Sequence, residues 1–317
     1  MKVGDKMKNL NVVFMGTPDF AVPVLKELIK NTNVSLVVTQ PDALTGRKKV
    51  LTKSPVKVVA EENNIEVFTP EKLRNEYEYI LNKKPDIVIT CAYGQIVPKQ
   101  ILDYPEYGCI NVHASLLPKY RGASPITAAI RDGEEETGIT IMYMDEGIDT
   151  GNIIQAKSIP IENTDTLGSL SEKLSILGAK TLIDTLPSII ECENFDIPQD
   201  HEIASYVKML KRSDEVIDFN KTRKEVYDFI RSLNPAPLAN TIINNEEWKI
   251  IESTIGEEKD VPVGVITSVN KDSFAIGCLD GEILITKVKP AGKKEMQVRD
   301  LFNGFDKNKL LNTRVGE

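Results

Sequence analysis

The first half of the chain repeats one pattern, in which a short apolar run leads into a segment with helical spacing. Several of these helical segments begin with a serine or threonine followed by proline, which is typical of a helix N-cap and first turn. Strands that alternate with helices indicate right-handed βαβ units and a mostly parallel sheet. The apolar runs are residues 10–16, 34–38, 65–68, 86–90 and 108–112, and the pairs are Thr17-Pro18, Ser54-Pro55, Thr69-Pro70 and Ser124-Pro125.

From Tyr206 onward the sequence changes character, because one helical segment, residues 221–233, precedes several short β-rich runs. Glycine and Asp-Gly turns between such runs are typical of small antiparallel barrels. We therefore predict a Rossmann-like α/β domain at 9–189, a polar linker at 190–205 and an OB-like β-barrel domain at 206–317. The β-rich runs are residues 241–251, 263–269, 273–278 and 282–288.

The composition is that of an ordinary globular protein. Of the 317 residues 27% are charged and 41% are apolar, and the length favours two domains. No apolar run approaches the roughly 18 residues that a membrane span needs, and the N-terminus does not resemble a signal peptide. The four cysteines are far apart and form no Cys-x-x-Cys pair, so we expect no metal site, no disulfides and a cytoplasmic location. Residues 1–8 are expected to form a polar tail, with Met7 as an alternative start.

Two strand-like runs end in polar side chains that together suit acyl transfer. Asn111 and His113 lie two positions apart on one run, so they share a face, and Asp149 follows the other run. An amide and an imidazole can stabilise an oxyanion, while a carboxylate can orient the imidazole or accept a proton. Each residue also has a structural reading, as a packing histidine, a capping amide or a turn aspartate. Asp-Thr-Gly also occurs in aspartic proteases, but those need a second such aspartate, which this sequence lacks.

These residues belong to two longer motifs. Asn111-x-His113 is followed by Ser-Leu-Leu-Pro, and Asp149-Thr150-Gly151 closes the second run. At this separation the motifs resemble those of the folate-dependent formyltransferases, which move a formyl group from 10-formyltetrahydrofolate to an amine. The resemblance implies that Asn111, His113 and Asp149 are catalytic and that no metal takes part. The folate-pocket residues that it implies are Ser115, Leu116, Leu117, Pro118, Tyr93 and Gly94, although a turn at Gly94 with Tyr93 packed locally fits equally well.

Two basic clusters stand out in a chain whose net charge is −8. The residues before Tyr206 include 21 basic and 29 acidic ones, whereas 18 of each follow, so the acidic excess lies in the first part. Both clusters resemble those of the formyltransferases that act on methionyl-tRNA. The first is a loop, residues 46–49, that lacks one glycine of the family pattern, and the second surrounds Pro290. The tRNA-binding residues implied are Arg47, Lys48, Lys49, Lys208, Lys287, Lys289, Lys293 and Lys294.

The resemblance covers residues 10–302 and implies formylation of initiator methionyl-tRNA, for translation initiation, by a monomer. Alternatives remain open. Glycinamide ribonucleotide or an amino-sugar nucleotide could be the amine, with the same chemistry. A folate-binding hydrolase that releases formate and a catalytically silent RNA-binding protein belong to other classes. Arg121 is expected to meet a carboxylate or phosphate, or else to form a surface salt bridge.

Overall fold

The structure is a computed structural model that describes residues 3–46 and 49–316. Within these residues the helices, in chain order, are α1 Val3–Asn9, α2 Val22–Asn31, α3 Pro55–Glu62, α4 Leu73–Glu76, α5 Glu78–Leu81, α6 Lys99–Leu102, α7 Pro125–Arg131, α8 Leu167–Ile190, α9 Arg223–Ser232 and α10 Val298–Leu301. The strands are β1 Asn11–Gly16, β2 Asn33–Val38, β3 Ala43–Thr45, β4 Val50–Thr52, β5 Val67–Phe68, β6 Ile87–Cys91, β7 Cys109–His113, β8 Arg121–Gly122, β9 Glu136–Tyr143, β10 Ile153–Pro160, β11 Tyr206–Val207, β12 Ala239–Ile243, β13 Glu246–Ile255, β14 Ile266–Val269, β15 Phe274–Cys278, β16 Gly281–Lys289 and β17 Met296–Gln297.

The chain forms two compact units, each assembled from several segments. Unit 1 comprises Met1–Pro125, Thr137–Ile159 and Ser171–Val207. Unit 2 comprises Ile126–Glu136, Pro160–Leu170 and Lys208–Glu317. The domain boundaries given above remain predictions.

Unit 1 is organised around a seven-stranded sheet with the order β10-β9-β7-β6-β1-β2-β5. Strands β7, β6, β1, β2 and β5 are parallel, and β9 runs antiparallel to β7. β1 and β6 are buried almost throughout, as expected for strands covered on both faces. The predicted α/β class with a mostly parallel sheet is therefore confirmed. The register pairs Gly16 with Cys91 and Thr90 with Asn111, so the carboxyl ends of β1, β6 and β7 meet at one edge.

Unit 2 contains a six-stranded antiparallel sheet, in which β12-β13-β16-β15-β14 are neighbours and β17 pairs with β16. Its core includes Trp248 and Phe274, whose ring centroids are 6.5 Å apart in an edge-to-face arrangement. Helix α9 adds apolar residues to the same core, among them Val226 and Ile230. The predicted antiparallel β domain is therefore confirmed.

The β-rich run at residues 241–251 is a hairpin, because Asn244 and Asn245 both have positive φ, 53° and 62°, and make the tight turn between β12 and β13. Two local predictions were wrong. The polar tail at residues 1–8 is helical from Val3, and Met7 on that helix is buried. Thr17 does not cap a helix, since its hydroxyl donates to the carbonyl of Tyr93 at 2.9 Å. At Ser54, in contrast, the predicted N-cap is confirmed, with its hydroxyl accepting from the amide of Lys57 at 3.0 Å.

Candidate active site

Asn111 lies near the end of β7 with its amide orientation fixed by a neighbouring strand. The hydroxyl of Thr90 on β6 donates to Asn111 Oδ1 at 2.8 Å, so the amide nitrogen faces the other way. That nitrogen donates to Asp149 Oδ1 at 3.3 Å. One hydrogen of the NH₂ group is used in this contact, and the second is left for a ligand. Sequence reasoning missed Thr90, and the signal that could have found it is a polar residue at the end of the apolar run at residues 86–90.

His113 has the same orientation as Asn111 but lies deeper, with only 5% of its surface exposed. Its Nδ1 is 3.6 Å from Asp149 Oδ2, and its Nε2 is 3.0 Å from the carbonyl oxygen of Tyr120. Both partners are acceptors, so the ring can donate to both only when each nitrogen carries a hydrogen. The predicted shared face of Asn111 and His113 is thus present, with Val112 between them buried.

Asp149 contacts both Asn111 and His113, and a backbone amide holds its carboxylate in place. In addition to the contacts with Asn111 and His113, its Oδ2 accepts a hydrogen bond from the amide of Gly122 at 2.8 Å. The backbone of Asp149 is left-handed, with φ of 53°, which orients the carboxylate toward the strand ends. Gly122 also has positive φ, 108°, and a Cβ there would lie 2.3 Å from the carbonyl oxygen of Val207. We call Asn111, His113 and Asp149 the strand-end site.

The Ser-Leu-Leu-Pro segment is a tightly tied loop directly after β7. The hydroxyl of Ser115 donates to the carbonyl of Lys119 at 2.6 Å, and the carbonyl of Ser115 accepts from the Thr140 hydroxyl at 2.7 Å. The amide of Leu117 donates to that same hydroxyl at 3.1 Å. Ser115 and Leu117 are buried, whereas Leu116 and Pro118 are partly exposed. The loop therefore presents backbone and two apolar side chains beside the strand-end site.

Tyr93 and Gly94 follow β6 at the same edge of the sheet. The side chain of Tyr93 is only 4% exposed and packs in the core with Val13 and Met15, so the local packing considered for it is what the structure contains. Burial raises the pKa of its phenol far above the ordinary value. Its carbonyl accepts hydrogen bonds from Thr17 and Gln40. Gly94 is exposed with φ of 92°, and the folate role of both residues remains a prediction.

Arg121 makes neither of the contacts expected for it, with a carboxylate or phosphate or in a surface salt bridge. It is fully buried, and its Nε and Nη2 donate to Gln199 Oε1 at 3.0 and 2.8 Å. Its Nη1 donates to His201 Nδ1 at 3.2 Å and to the Tyr206 hydroxyl at 2.8 Å. Sequence reasoning missed Gln199, because nothing in residues 190–205 indicates a contact with a residue 78 positions away.

In the sequence, the first basic cluster falls between β3 and β4, which pair as an antiparallel hairpin. Lys49 is exposed in this turn with φ of 48°, while Arg47 and Lys48 lie outside the described residues. The basic stretch continues along the chain to residue 57, and two of its lysines have acidic partners. Lys57 Nζ is 2.8 Å from Asp42, and Lys53 Nζ is 2.6 Å from Glu61. The positive charge that Lys57 and Lys53 bring to the run is therefore balanced locally.

The second basic cluster divides into two parts in unit 2. Lys293 and Lys294 are exposed in the turn after Pro290, and we call residues 290–294 the lysine turn. Lys287 and Lys289 lie on β16 and are partly buried, and Lys287 Nζ is 3.6 Å from Glu252. Lys208 is exposed at the start of the last segment of unit 2.

Cys91 and Cys109 lie on β6 and β7, and cysteine chemistry suits neither position. Burial raises the pKa of the Cys109 thiol to about 12 and that of the Cys91 thiol still further above its ordinary value. A thiolate nucleophile is therefore disfavoured at both positions. Within residues 3–46 and 49–316, no group of three or more His, Cys, Asp or Glu side chains could hold a metal ion. In the same part of the chain, no helix is both long and apolar enough to cross a membrane.

The chain belongs to the formyl transferase family. The family described as formyl transferase matches residues 8–186, and the formyl transferase C-terminal domain matches residues 209–306. Among its relatives, the methionyl-tRNA formyltransferase of Staphylococcus epidermidis is 46% identical over 300 residues, 94% of this chain and 97% of that one. The methionyl-tRNA formyltransferase of Bacillus subtilis is 46% identical over 298 residues, 92% of this chain and 94% of that one.

A solved structure extends the likeness to the fold. It is a sugar 3N-formyl transferase in the presence of dTDP and 5-N-formyl-THF, with 26% identity and a TM-score of 0.64. The match covers 91% of this chain and 99% of that one. The predicted membership in the folate-dependent formyltransferases is confirmed.

Proposed function

We propose that this formyl transferase moves the formyl group of 10-formyltetrahydrofolate to the α-amino group of initiator methionyl-tRNA. The observation that carries the proposal is the strand-end site, in which Asp149 contacts Asn111 at 3.3 Å and His113 at 3.6 Å. The choice of methionyl-tRNA is supported by relatives of that name at 46% identity over nearly the whole chain. The exposed lysines of the lysine turn supply charge that suits phosphates.

The substrate amine needs no covalent help from the enzyme. An α-amino group has an ordinary pKa near ~8, and the ester link to tRNA lowers it, so a useful fraction is neutral at pH 7. Its lone pair attacks the formyl carbon, a C–N bond forms, and the carbonyl oxygen becomes an oxyanion. The bond from that carbon to N10 of the folate then breaks, while the proton lost by the amine moves to N10. The products are the formylated aminoacyl-tRNA and tetrahydrofolate.

Each residue of the strand-end site has a role in this sequence. The second hydrogen of Asn111 Nδ2 donates to the developing oxyanion, because the first is directed to Asp149. Asp149 takes the proton from the attacking nitrogen and returns it toward N10. His113 is buried beside Asp149, with Nδ1 facing Asp149 Oδ2 at 3.6 Å, and it orients the carboxylate. Ser115, Leu116, Leu117 and Pro118 would form one wall of the folate pocket, mainly through the backbone, with Tyr93 and Gly94 on the adjacent loop.

The test is to give the purified protein 10-formyltetrahydrofolate alone and then with one amine at a time. The amines are initiator methionyl-tRNA, glycinamide ribonucleotide and an amino-sugar nucleotide. We expect N-formylmethionyl-tRNA and tetrahydrofolate in equal amounts, with little donor consumed alone, because a positioned amine makes the attack effectively unimolecular. Transfer to a small amine but not to tRNA would overturn the substrate, and rapid release of formate without an amine would overturn the transferase.

A further inference from the structure

We propose that Gln199 is a positioning residue, which holds the backbone of the Asp149 turn so that the carboxylate reaches the strand-end site. This inference depends on the proposed function only in taking Asp149 as catalytic. Gln199 is 6% exposed, and its Nε2 donates to the carbonyl of Asp149 at 2.9 Å and to that of Gly151 at 2.7 Å. Both hydrogens of the side-chain amide are therefore used on one turn of the backbone.

The turn needs such support because of its conformation. Asp149 has φ of 53°, in the left-handed region that residues other than glycine adopt only at an energetic cost. Relaxation of that dihedral angle would rotate the carboxylate away from Asn111 Nδ2 and from the amide of Gly122. The two hydrogen bonds from Gln199 fix the carbonyls on either side of Thr150, so they oppose this rotation.

Arg121 fixes which way the amide of Gln199 faces. A guanidinium group only donates, and both Nε and Nη2 of Arg121 are directed at Gln199 Oε1. The oxygen of Gln199 must therefore face Arg121, and the nitrogen must face the Asp149 turn. The segment that carries Gln199 is itself held in unit 1, because Ile197 exchanges two 2.8 Å backbone hydrogen bonds with Ile153, and β11 pairs with β8.

The discriminating variant is Gln199→Glu. The carboxylate keeps the size of the side chain and its contact with Arg121, but it places an oxygen where the two donors were. We expect kcat to fall roughly 10- to 100-fold, because misplacing a catalytic group by about 1 Å costs up to about 100-fold. The KM for 10-formyltetrahydrofolate and the Kd for methionyl-tRNA should stay within about twofold, because Gln199 is directed at Asp149 and not at a substrate pocket. The matched control is Gln155→Glu, with the same charge change on β10, and it should retain the native rate.

A second readout separates positioning from a general loss of structure. The amide of Gly122 donates to Asp149 Oδ2, so its hydrogen exchange measured by NMR reports where the carboxylate is. Gln199→Glu should speed exchange at Gly122 while the amides of β6 and β7 stay protected. If kcat and Gly122 exchange both remain native, or if kcat falls while Gly122 stays protected, Gln199 does not act through Asp149.

Two further variants keep the result interpretable. If Gln199→Glu does not fold, the double variant Arg121→Met with Gln199→Met removes both partners of the buried contact, which is milder than removing one. A folded double variant with native kcat would overturn the proposal, and a folded slow one with fast Gly122 exchange would support it. Asp149→Asn is measured in parallel. If that variant is fully active the catalytic assignment of Asp149 fails, whereas native Gln199→Glu beside an inactive Asp149→Asn refutes only the positioning role.

Discussion

The strand-end site and the lysine turn differ in how firmly their polar groups are held in place. Asn111 and Asp149 are partly buried, and their polar atoms form hydrogen bonds with donor–acceptor distances of 2.8 to 3.3 Å. Lys293 and Lys294 are exposed on a turn, and Lys293 Nζ is 6.0 Å from the ring of Phe305. Making and breaking bonds needs donors at fixed positions before the substrate arrives, whereas attraction of a phosphate needs charge within about a Debye length. The same difference predicts how each region responds to mutation.

The largest effect is expected at the strand-end site. Asn111→Ala removes the donor proposed for the oxyanion, so single-turnover formyl transfer should fall by about 100- to 1,000-fold. Binding of folate and tRNA should change little, because the lost interaction is made mainly in the transition state. The exposed Asn75→Ala is the matched control and should be native. If folded Asn111→Ala enzyme reacts within tenfold of the native rate, Asn111 is not the oxyanion donor. The strand-end site would then tolerate mutation as the lysine turn does.

The next effect is expected at the lysine turn, and it concerns affinity rather than rate. If Lys293 and Lys294 each contact a phosphate, changing both to alanine should reduce the slope of log K against log salt by about 1.4–1.8. The rate at saturating tRNA should remain native. The control is the Lys307→Ala, Lys309→Ala pair, an equal charge change in unit 2. An unchanged slope for the first pair would show that the lysine turn is only solvated surface.

A smaller effect separates two lysines of one basic run. Lys49→Asn removes the charge and keeps a residue that tolerates the positive φ of 48°, so the salt slope should fall by about 0.7–0.9. Lys57→Met should leave the slope unchanged, because Lys57 is already paired with Asp42 at 2.8 Å. Titrations of tRNA binding at several salt concentrations measure both variants. Equal slopes for the two would mean that the hairpin turn does not contact phosphate.

The smallest effect is expected in unit 2, at the N-terminus of α9. Thr222 caps α9 and forms a reciprocal capping box with Glu225, so Thr222→Ala should lower the free energy of unfolding by about 1 kcal/mol. Hydrogen bonds from the Thr222 backbone and from its hydroxyl both lower the pKa of Glu225, and Thr222→Ala removes the one from the hydroxyl. A lowered carboxyl pKa stabilises the fold above its unfolded value, and this contribution is lost as pH falls through the folded value. Denaturant unfolding at pH 7 and at pH 3 should therefore show a smaller difference between variant and native protein at pH 3.

The sequence predicted the five parallel strands β1, β2, β5, β6 and β7 to within two residues at each end, because apolar runs bounded by glycine and Ser-Pro or Thr-Pro leave little choice. The same-face prediction for Asn111 and His113 needed only the two-residue period of a strand. Arg121 was misjudged, since a charged residue in a motif favours the surface, and only the fold supplies the buried acceptors that it meets. Gln199 could not have been found, because side-chain contacts between distant segments leave no local pattern in one sequence.

Gly122 shows that a residue without a functional group can limit which substitutions an enzyme tolerates. Its amide serves Asp149, and the absence of a Cβ lets β8 approach the carbonyl of Val207. A side chain at this position would clash with Val207, and the backbone shift needed to relieve the clash would move the amide that donates to Asp149. In a library of random substitutions, position 122 should therefore be as intolerant as the residues that do the chemistry. During evolution, substitutions at exposed lysines that change the substrate should be tolerated far more readily than substitution of Gly122.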